Sequence, residues 1–144
     1  MEKPSNGFRV FVKEIYLSTK ERIELVDITN KVEEAVQESR IRNGICLVYA
    51  PHATSAIILN EHEKGLLSDI VKKILEIAPP GANYLHNRID NNAHAHVASS
   101  IIGSSATLPV VNGELVRGTW QNIFLVELDG PRASRRIIVE VLGE

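Results

Sequence analysis

The sequence predicts an α+β fold of mainly antiparallel sheets that form a β-sandwich-like core with about three helices, as one domain over residues 1–144. Three observations predict it. Apolar residues alternate over several short segments, as they do in half-buried strands. In other segments they recur at three- and four-residue spacing, which is typical of amphipathic helices. Asn112-Gly113 separates two strand patterns and suits a two-residue hairpin turn.

The predicted strands lie near both ends of the chain and in its middle. Residues 8–19 and 22–27 are joined by a short polar segment and should pair as an antiparallel hairpin. The remaining strands are predicted over residues 44–50, 55–60, 107–111, 114–118, 121–129 and 135–143. The segment 44–50 is apolar at both odd and even positions, which indicates a central strand covered on two faces. Its Cys46 should therefore be a buried core residue.

The predicted helices have recognisable start and stop signals. They run from about Thr29 to Asn43-Gly44, through the apolar positions from Leu66 to Leu75, and from Ala93 to Ile102. Thr29 and Asn60 are the expected N-caps of the first two helices. Pro79-Pro80-Gly81 should end the second helix and Gly103 the third.

Composition limits the possible partners. The 16 Lys and Arg residues nearly balance the 18 Asp and Glu residues, so the net charge does not favour binding to nucleic acid or to an anionic membrane. No apolar run approaches the roughly 20 residues of a membrane span, and the first residues lack the apolar core of a signal peptide. We therefore expect a soluble cytoplasmic protein with no nucleic-acid and no membrane partner.

The stretch NRIDNNAHAH, residues 87–96, places two histidines two positions apart. On a helix these side chains diverge by about 200°, so His94 and His96 should not bind one ion together. His94 falls in the stripe of Ala93, Val97 and Ile101 and should be a hydrogen-bonded histidine against the core. His96 lies on the opposite side and is the better functional candidate.

Further histidines come from separate segments. His52 lies between two predicted strands beside Thr54 and Ser55, where loop side chains can converge on a ligand. His86 precedes Asp90 in an irregular segment, whereas His62 is expected to be a solvated surface residue. Three histidines from separate segments with carboxylates nearby would suit zinc or another borderline divalent ion, if they converge.

The last third of the chain suggests anion binding. Arginines flank a segment with a Gly130-Pro131 turn, which should present Arg132, and guanidinium groups suit phosphate oxygens. For Arg135 and Arg136, a charged turn between two hairpin strands is an equally good interpretation. Trp120 is expected to be a core residue rather than a substrate platform.

Residues 51–61, 85–105 and 118–143 resemble the three signature blocks of the YjbQ family. The resemblance implies a compact α+β fold with a β-sandwich, assembled as a homotrimer. It also implies a histidine-centred site near a subunit boundary that often holds a metal ion. The activity linked to this family is a secondary thiamine-phosphate synthase activity.

The resemblance also implies roles for individual residues. The expected metal ligands, for a zinc-like ion or alternatively magnesium, are His52, His86 and His96. The expected catalytic groups are Asp90, Glu61 and His96, with either carboxylate acting as a base or orienting a ligating histidine. Substrate binding is expected at Thr54, Ser55, Asn60, Asn87, Thr119, Gln121 and Arg132. The family pattern has no fixed histidine at the positions of His62 and His94.

Three functions are compatible with this pattern. The implied enzyme would join a thiazole phosphate to a pyrimidine diphosphate and displace pyrophosphate. A three-histidine site also suits activated water, so a metal-assisted hydrolase of a phosphorylated small molecule is the alternative within the enzyme class. A non-catalytic trimer that binds a metal ion or a phosphorylated metabolite is the alternative outside it.

Overall fold

A computed structural model describes residues 7–144 as eight strands, three α-helices and one short 3₁₀ helix. The strands are β1 (Arg9–Leu17), β2 (Glu24–Asp27), β3 (Gly44–Tyr49), β4 (Ser55–Asn60), β5 (Ser105–Val111), β6 (Glu114–Leu115), β7 (Asn122–Glu127) and β8 (Arg135–Gly143). The helices are α1 (Thr29–Ser39), α2 (Lys64–Ile77) and α3 (Ala93–Ile102), and the 3₁₀ helix Leu85–Arg88 precedes α3.

The strands form two antiparallel sheets. One sheet has five strands in the order β1-β8-β3-β5-β6, and the other has three in the order β2-β7-β4. The predicted α+β fold of mainly antiparallel sheets is therefore confirmed. The central position predicted for residues 44–50 is also correct, because β3 pairs with both β8 and β5.

Hydrophobic clusters cover both faces of the three-stranded sheet. The larger cluster joins this sheet to the five-stranded sheet and α1, and it contains the buried Cys46. Burial raises the pKa of the Cys46 thiol to about 12, so this side chain acts as a small apolar residue. The smaller cluster joins the opposite face, at Ala56 and Val126, to Ala95 and Ala98 of α3. The middle of this sheet is thus fully covered, and only its ends are free to carry polar chemistry.

The predicted hairpin of residues 8–19 and 22–27 is wrong. All nine residues of β1 pair with β8, from Arg9 opposite Gly143 to Leu17 opposite Arg135. The four residues of β2 pair instead with β7 in the other sheet. The connection between β1 and β2 therefore crosses from one sheet to the other, because each of the two strands pairs with a strand that is distant in sequence.

Two helix starts differ from the prediction. Thr29 is the first residue of α1, and Asp27 accepts hydrogen bonds from both its backbone N–H, at 2.9 Å, and its hydroxyl, at 2.6 Å. Asn60 does not cap α2, because the cap is Glu63, whose carboxylate accepts from the N–H groups of Gly65 and Leu66. These two hydrogen bonds lower the pKa of Glu63.

Two other helix features also depart from the prediction. Helix α1 stops at Ser39, before the expected Asn43-Gly44 signal, since Arg40 takes a left-handed conformation with φ 58°. Helix α2 has the expected apolar stripe but no fully buried residue, and a groove of about 480 Å³ lies between it and β2. Across residues 7–144, we find no helix with the length and apolarity needed to cross a membrane.

The side chain of Asp27 joins β2, α1 and β7. Burial raises its pKa, but hydrogen bonds from Thr29, Asn122 and His62 lower it more, to about 2. His62 Nδ1 lies 2.6 Å from Asp27 Oδ2, and Asn122 donates to the same oxygen at 2.7 Å. His62 is about half exposed, as expected, but the carboxylate of Asp27 holds it in place.

We expect Asp27→Asn to lower the free energy of unfolding by about 2 kcal/mol at neutral pH. The folded-state pKa of about 2 lies below the ordinary 3.8, so this stabilisation is complete above pH 3.8 and is lost as the pH falls to about 2. Urea unfolding at neutral pH and near pH 3 measures the difference between wild type and variant. Asp69→Asn on the exposed side of α2 is the control, and an equal loss in both variants would contradict the prediction.

Candidate active site

A buried ion pair lies where β7 ends and β8 begins. Glu127 is fully buried and Arg135 is 2% exposed, and Arg135 Nε donates to Glu127 Oε1 at 2.8 Å. The second guanidinium nitrogen, Nη2, donates to Glu127 Oε2. The pair is bidentate, which is the strongest geometry for a guanidinium and a carboxylate. Burial raises the pKa of Glu127, but the hydrogen bond from Arg135 is among the contacts that lower it below its usual range.

The same pair holds three neighbouring segments. Thr19, just after β1, donates its hydroxyl to Glu127 Oε1 at 2.8 Å, and the Asp129 backbone N–H donates to Oε2 at 3.0 Å. Arg135 donates to both the carbonyl and the hydroxyl oxygen of Thr54, each at 3.0 Å. The predicted binding residue Thr54 is therefore a buried partner of this ion pair.

Asp129 is the centre of a polar cluster that we call the Asp129 network, which consists of Asp129, Asn92, Arg22 and Arg132. Asn92 Nδ2 donates to Asp129 Oδ2 at 2.9 Å, and Arg132 Nη2 donates to the same oxygen at 3.0 Å. Arg22 Nε lies 3.4 Å from the other oxygen, Oδ1. Burial raises the pKa of Asp129, but the hydrogen bonds and the two positive charges outweigh burial. The pKa of Asp129 is therefore below its ordinary value.

The loop that carries Asp129 and Arg132 passes very close to other parts of the chain. A Cβ atom at Gly130 would lie 2.1 Å from the backbone oxygen of Glu21, so only glycine fits. The Gly130–Pro131 peptide bond is cis, and the Arg132 backbone N–H donates to the Thr19 hydroxyl at 2.9 Å. The predicted turn at Gly130-Pro131 does present Arg132 toward the surface.

Two of the three predicted metal ligands contact each other. The rings of His86 and His96 meet edge to face, with their centroids 4.8 Å apart. The His86 segment is tied to α3 because Asn87 Oδ1 accepts from the Ala93 N–H at 3.2 Å. One turn of α3 separates His96 from Asn92, so this histidine pair and the Asp129 network occupy the same end of α3.

Asp90 also lies beside the histidine pair. Its backbone N–H donates to the His86 carbonyl at 3.2 Å, and its carboxylate accepts from the Asn91 N–H at 2.8 Å. The Asp90 side chain is exposed. The backbone of Asp90 is thus tied to the His86 segment, and its carboxylate is open to solvent.

The third predicted ligand, His52, takes part in a different contact. Its Nε2 lies 3.1 Å from the backbone N and 2.9 Å from the backbone O of Arg136, so the tautomer decides which bond forms. Burial lowers the pKa of His52. Among residues 7–144, no three His, Cys, Asp or Glu side chains are grouped closely enough to hold a metal ion. The metal site therefore stays a prediction.

His94 is buried as predicted, at 2% exposure, but neither ring nitrogen has a hydrogen-bond partner among the described residues. Burial is the main cause that lowers the pKa of His94, and the positive charge of Arg22 lowers it further. The predicted stripe of α3 is wrong, since Val97 and Ile101 are 38% and 60% exposed. The helix instead buries its small residues, which allows α3 to approach the sheet closely.

Except for Ser55, the remaining predicted site residues lie at the other end of the three-stranded sheet. Ser55 pairs with Glu127 and Asn60 with Asn122, so β4 and β7 run between the two ends, about 17 Å apart. Ser55 is fully buried next to the ion pair. The residues at the far end are Asn60, Glu61, Thr119 and Gln121, with Trp120, which is 71% exposed rather than in the core.

Four residues that the structure brings into the site are marked weakly or not at all by local sequence patterns. Glu127 and Arg135 are charges inside or beside otherwise apolar strand segments, which is the usual mark of a buried ion pair. Asn92 directly precedes α3 and has the residue type of an N-cap, but its side chain makes no capping hydrogen bond. Arg22 lies in a segment read as a plain hairpin, and no local pattern marks it.

Removing one partner of the buried pair leaves the other charge without compensation. We expect Glu127→Gln to lower the free energy of unfolding by about 3–5 kcal/mol. Chemical denaturation measures the loss, and Glu38→Gln, which removes an exposed pair with Lys13, is the control. The control should change stability by less than about 1 kcal/mol. Equal effects from the two substitutions would contradict a central role for the buried pair.

Comparisons with known proteins agree on one family. A family model described as UPF0047 protein YjbQ-like matches residues 13–144. A UPF0047 protein of Methanothermobacter thermautotrophicus is 50% identical over 135 residues, covering 94% of each chain. The UPF0047 protein YugU of Bacillus subtilis is 36% identical over 92% of this chain and 99% of its own length.

Solved structures give the same result. A YbjQ-like protein of unknown function from Sulfolobus solfataricus P2 superposes with a TM-score of 0.94 at 55% identity, covering 95% of this chain and 99% of that one. An uncharacterised conserved protein of the YjbQ/UPF0047 family from Clostridium acetobutylicum superposes with a TM-score of 0.85 at 37% identity, covering 90% and 98%. The sequence and the fold together show that the chain belongs to the YjbQ/UPF0047 family.

Proposed function

We propose that this protein is a small enzyme that acts on a phosphorylated metabolite and has a secondary thiamine-phosphate synthase activity. The observation that carries the proposal is the connection between the histidine pair and the Asp129 network at one end of α3. Imidazoles and an exposed carboxylate can move protons, and neighbouring guanidinium groups can neutralise phosphate. A site for phosphorylated substrates needs both kinds of group within reach of one ligand.

The proposed reaction joins two substrates. The ring nitrogen of a thiazole phosphate forms a bond to the methylene carbon of a pyrimidine diphosphate. The carbon–oxygen bond to the diphosphate breaks, and pyrophosphate leaves with the electron pair. Arg132 would offset the charge that develops on the leaving group. Asp90 and His96 would hold the reacting groups and accept or return protons beside them.

We also propose a divalent metal ion in this site. The donor set suits a zinc-like ion, because His86 and His96 are neighbouring imidazoles and both can present a nitrogen. Two imidazoles are too few for a stable zinc site, and His52 is held against Arg136 in the same chain. A further ligand from an adjacent subunit would complete the coordination. Bound there, the ion would supply charge neutralisation for phosphate.

Assembly as a homotrimer is supported by two features. The outer face of the five-stranded sheet exposes apolar side chains, of which the clearest are Val10, Val12, Tyr16, Ile45 and Tyr49. An apolar face of this kind usually marks a protein interface. In addition, the residues that the family resemblance links to one site lie, within one subunit, at opposite ends of the three-stranded sheet. A neighbouring subunit could bring the far-end residues to the histidine pair of the first.

Metal content can be tested with a matched pair of histidine variants. We expect about one transition-metal ion per chain in wild type and in His62→Ala, and a loss of it in His96→Ala. His62 is the control because the family pattern has no fixed histidine at its position and because its Nδ1 is already held by Asp27, at 2.6 Å. Elemental analysis of each protein, with its mass in solution from light scattering, gives the stoichiometry per chain. An equal metal content in His96→Ala and wild type would contradict the proposed ligands.

Turnover can be tested with the two synthase substrates and detection of thiamine phosphate. We expect Asp90→Asn to lower the rate about 100-fold or more, the usual contribution of a general base. Asp69→Asn is the control for loss of a surface carboxylate. Full activity in Asp90→Asn would remove Asp90 from the mechanism. If no thiamine phosphate forms but phosphate is released from a substrate, the hydrolase alternative is favoured.

A further inference from the structure

We propose that Arg22 and Arg132 form a two-guanidinium clamp for a diphosphate group, with Asp129 as the anchor that holds both arginines in place. This inference rests on the proposed function, because it concerns the same site, and it specifies the substrate class more closely. It also adds Arg22, a residue outside all the segments that resemble the family blocks.

The side chains of the Asp129 network are arranged in layers. The side chain of Asp129 is 14% exposed, whereas those of Arg22 and Arg132 are 47% and 43% exposed. The carboxylate therefore lies beneath the two guanidinium groups. An anion that approaches from solvent meets the arginines first and does not have to displace Asp129.

Both arginines keep donors available after their contacts within the protein. Arg132 uses Nε for the Asp129 carbonyl, at 2.9 Å, and Nη2 for the carboxylate, at 3.0 Å. Arg22 donates Nη2 to the Asn91 carbonyl at 3.3 Å, and its Nε forms an ion pair with the carboxylate at 3.4 Å. In residues 7–144, neither Nη1 group has a hydrogen-bonding partner. These nitrogens can bind an oxyanion while the existing contacts fix the side chains.

The charge balance of the network favours an anion. Two guanidinium groups share one carboxylate, which leaves one positive charge in excess. The nearby carboxylate of Glu127 is already paired with Arg135 and does not offset this excess. A partly buried positive site of this kind binds phosphate more strongly than single surface arginines do.

The placement of the two guanidinium groups favours a diphosphate over a single phosphate. Arg22 lies against Oδ1 of Asp129 and Arg132 against Oδ2, so they approach the carboxylate from different sides. A single phosphate would have to share its three or four oxygens between the two guanidinium groups. A diphosphate offers one phosphoryl group to each guanidinium, and the anchor has already fixed both side chains before the ligand arrives.

The test is a calorimetric titration of the full-length protein with sodium pyrophosphate and with orthophosphate, in EDTA so that no metal ion takes part. We expect pyrophosphate to bind at least about tenfold more tightly than orthophosphate. Either Arg22→Ala or Arg132→Ala should weaken pyrophosphate binding at least about tenfold and remove the preference. Arg42→Ala, which removes an exposed arginine far from the site, should change neither affinity.

Several results would overturn the clamp: no binding of pyrophosphate, equal affinities for the two anions, or unchanged binding in Arg22→Ala. Circular dichroism checks that each variant is folded, and Arg22→Gln, which keeps most of the side-chain length, replaces Arg22→Ala if that variant does not fold. Pyrophosphate preference without synthase turnover would keep the clamp and reject the proposed reaction. Synthase turnover without a preference for pyrophosphate would keep the proposed reaction and reject the clamp.

Discussion

The buried pair of Glu127 and Arg135 is the interaction on which this end of the molecule depends. Two charges inside a protein are costly to desolvate, and they persist only when their hydrogen bonds are well satisfied. Here the remaining donors and acceptors reach Thr19, Thr54 and the backbone of Asp129. The pair therefore joins the ends of β1, β4, β7 and β8. The loop that presents His52 ends at Thr54, and the loop that presents Asp129 and Arg132 runs from Glu127 to Arg135.

Much of the fold could be predicted from local patterns. Apolar patterns at strand and helix spacing correctly locate all eight strands and all three α-helices, because these patterns reflect which faces are buried. Partner choice could not be predicted, since β1 and β2 are adjacent in sequence but join different sheets. Caps were also uncertain, because both Asn60 and Glu63 are suitable acceptors and only the path of the chain decides between them. Trp120 was predicted in the core but is exposed, because the burial tendency of tryptophan is an average over many proteins.

The site was less predictable than the fold for a physical reason. Residues such as His86, His96 and Asp90 lie within twelve positions of one another, so local structure brings them together. Arg22 and Asn92 reach Asp129 only through the tertiary fold, and no spacing in the sequence records that contact. The separation of Asn60 and Glu61 from the histidines has the same origin. A signature block of the family can contain residues that lie at opposite ends of one strand in a single subunit.

The pairing of β1 with β8 also affects how the chain acquires this structure. Every contact in that ladder joins residues separated by more than 100 positions, such as Leu17 and Arg135. During synthesis β1 leaves the ribosome long before its partner exists, and its apolar residues stay uncovered until the last strand is made. Topologies with such distant contacts fold slowly compared with helical bundles of similar size. The five-stranded sheet is therefore completed only after β8 has been made, and the surface that it presents outward does not form before then.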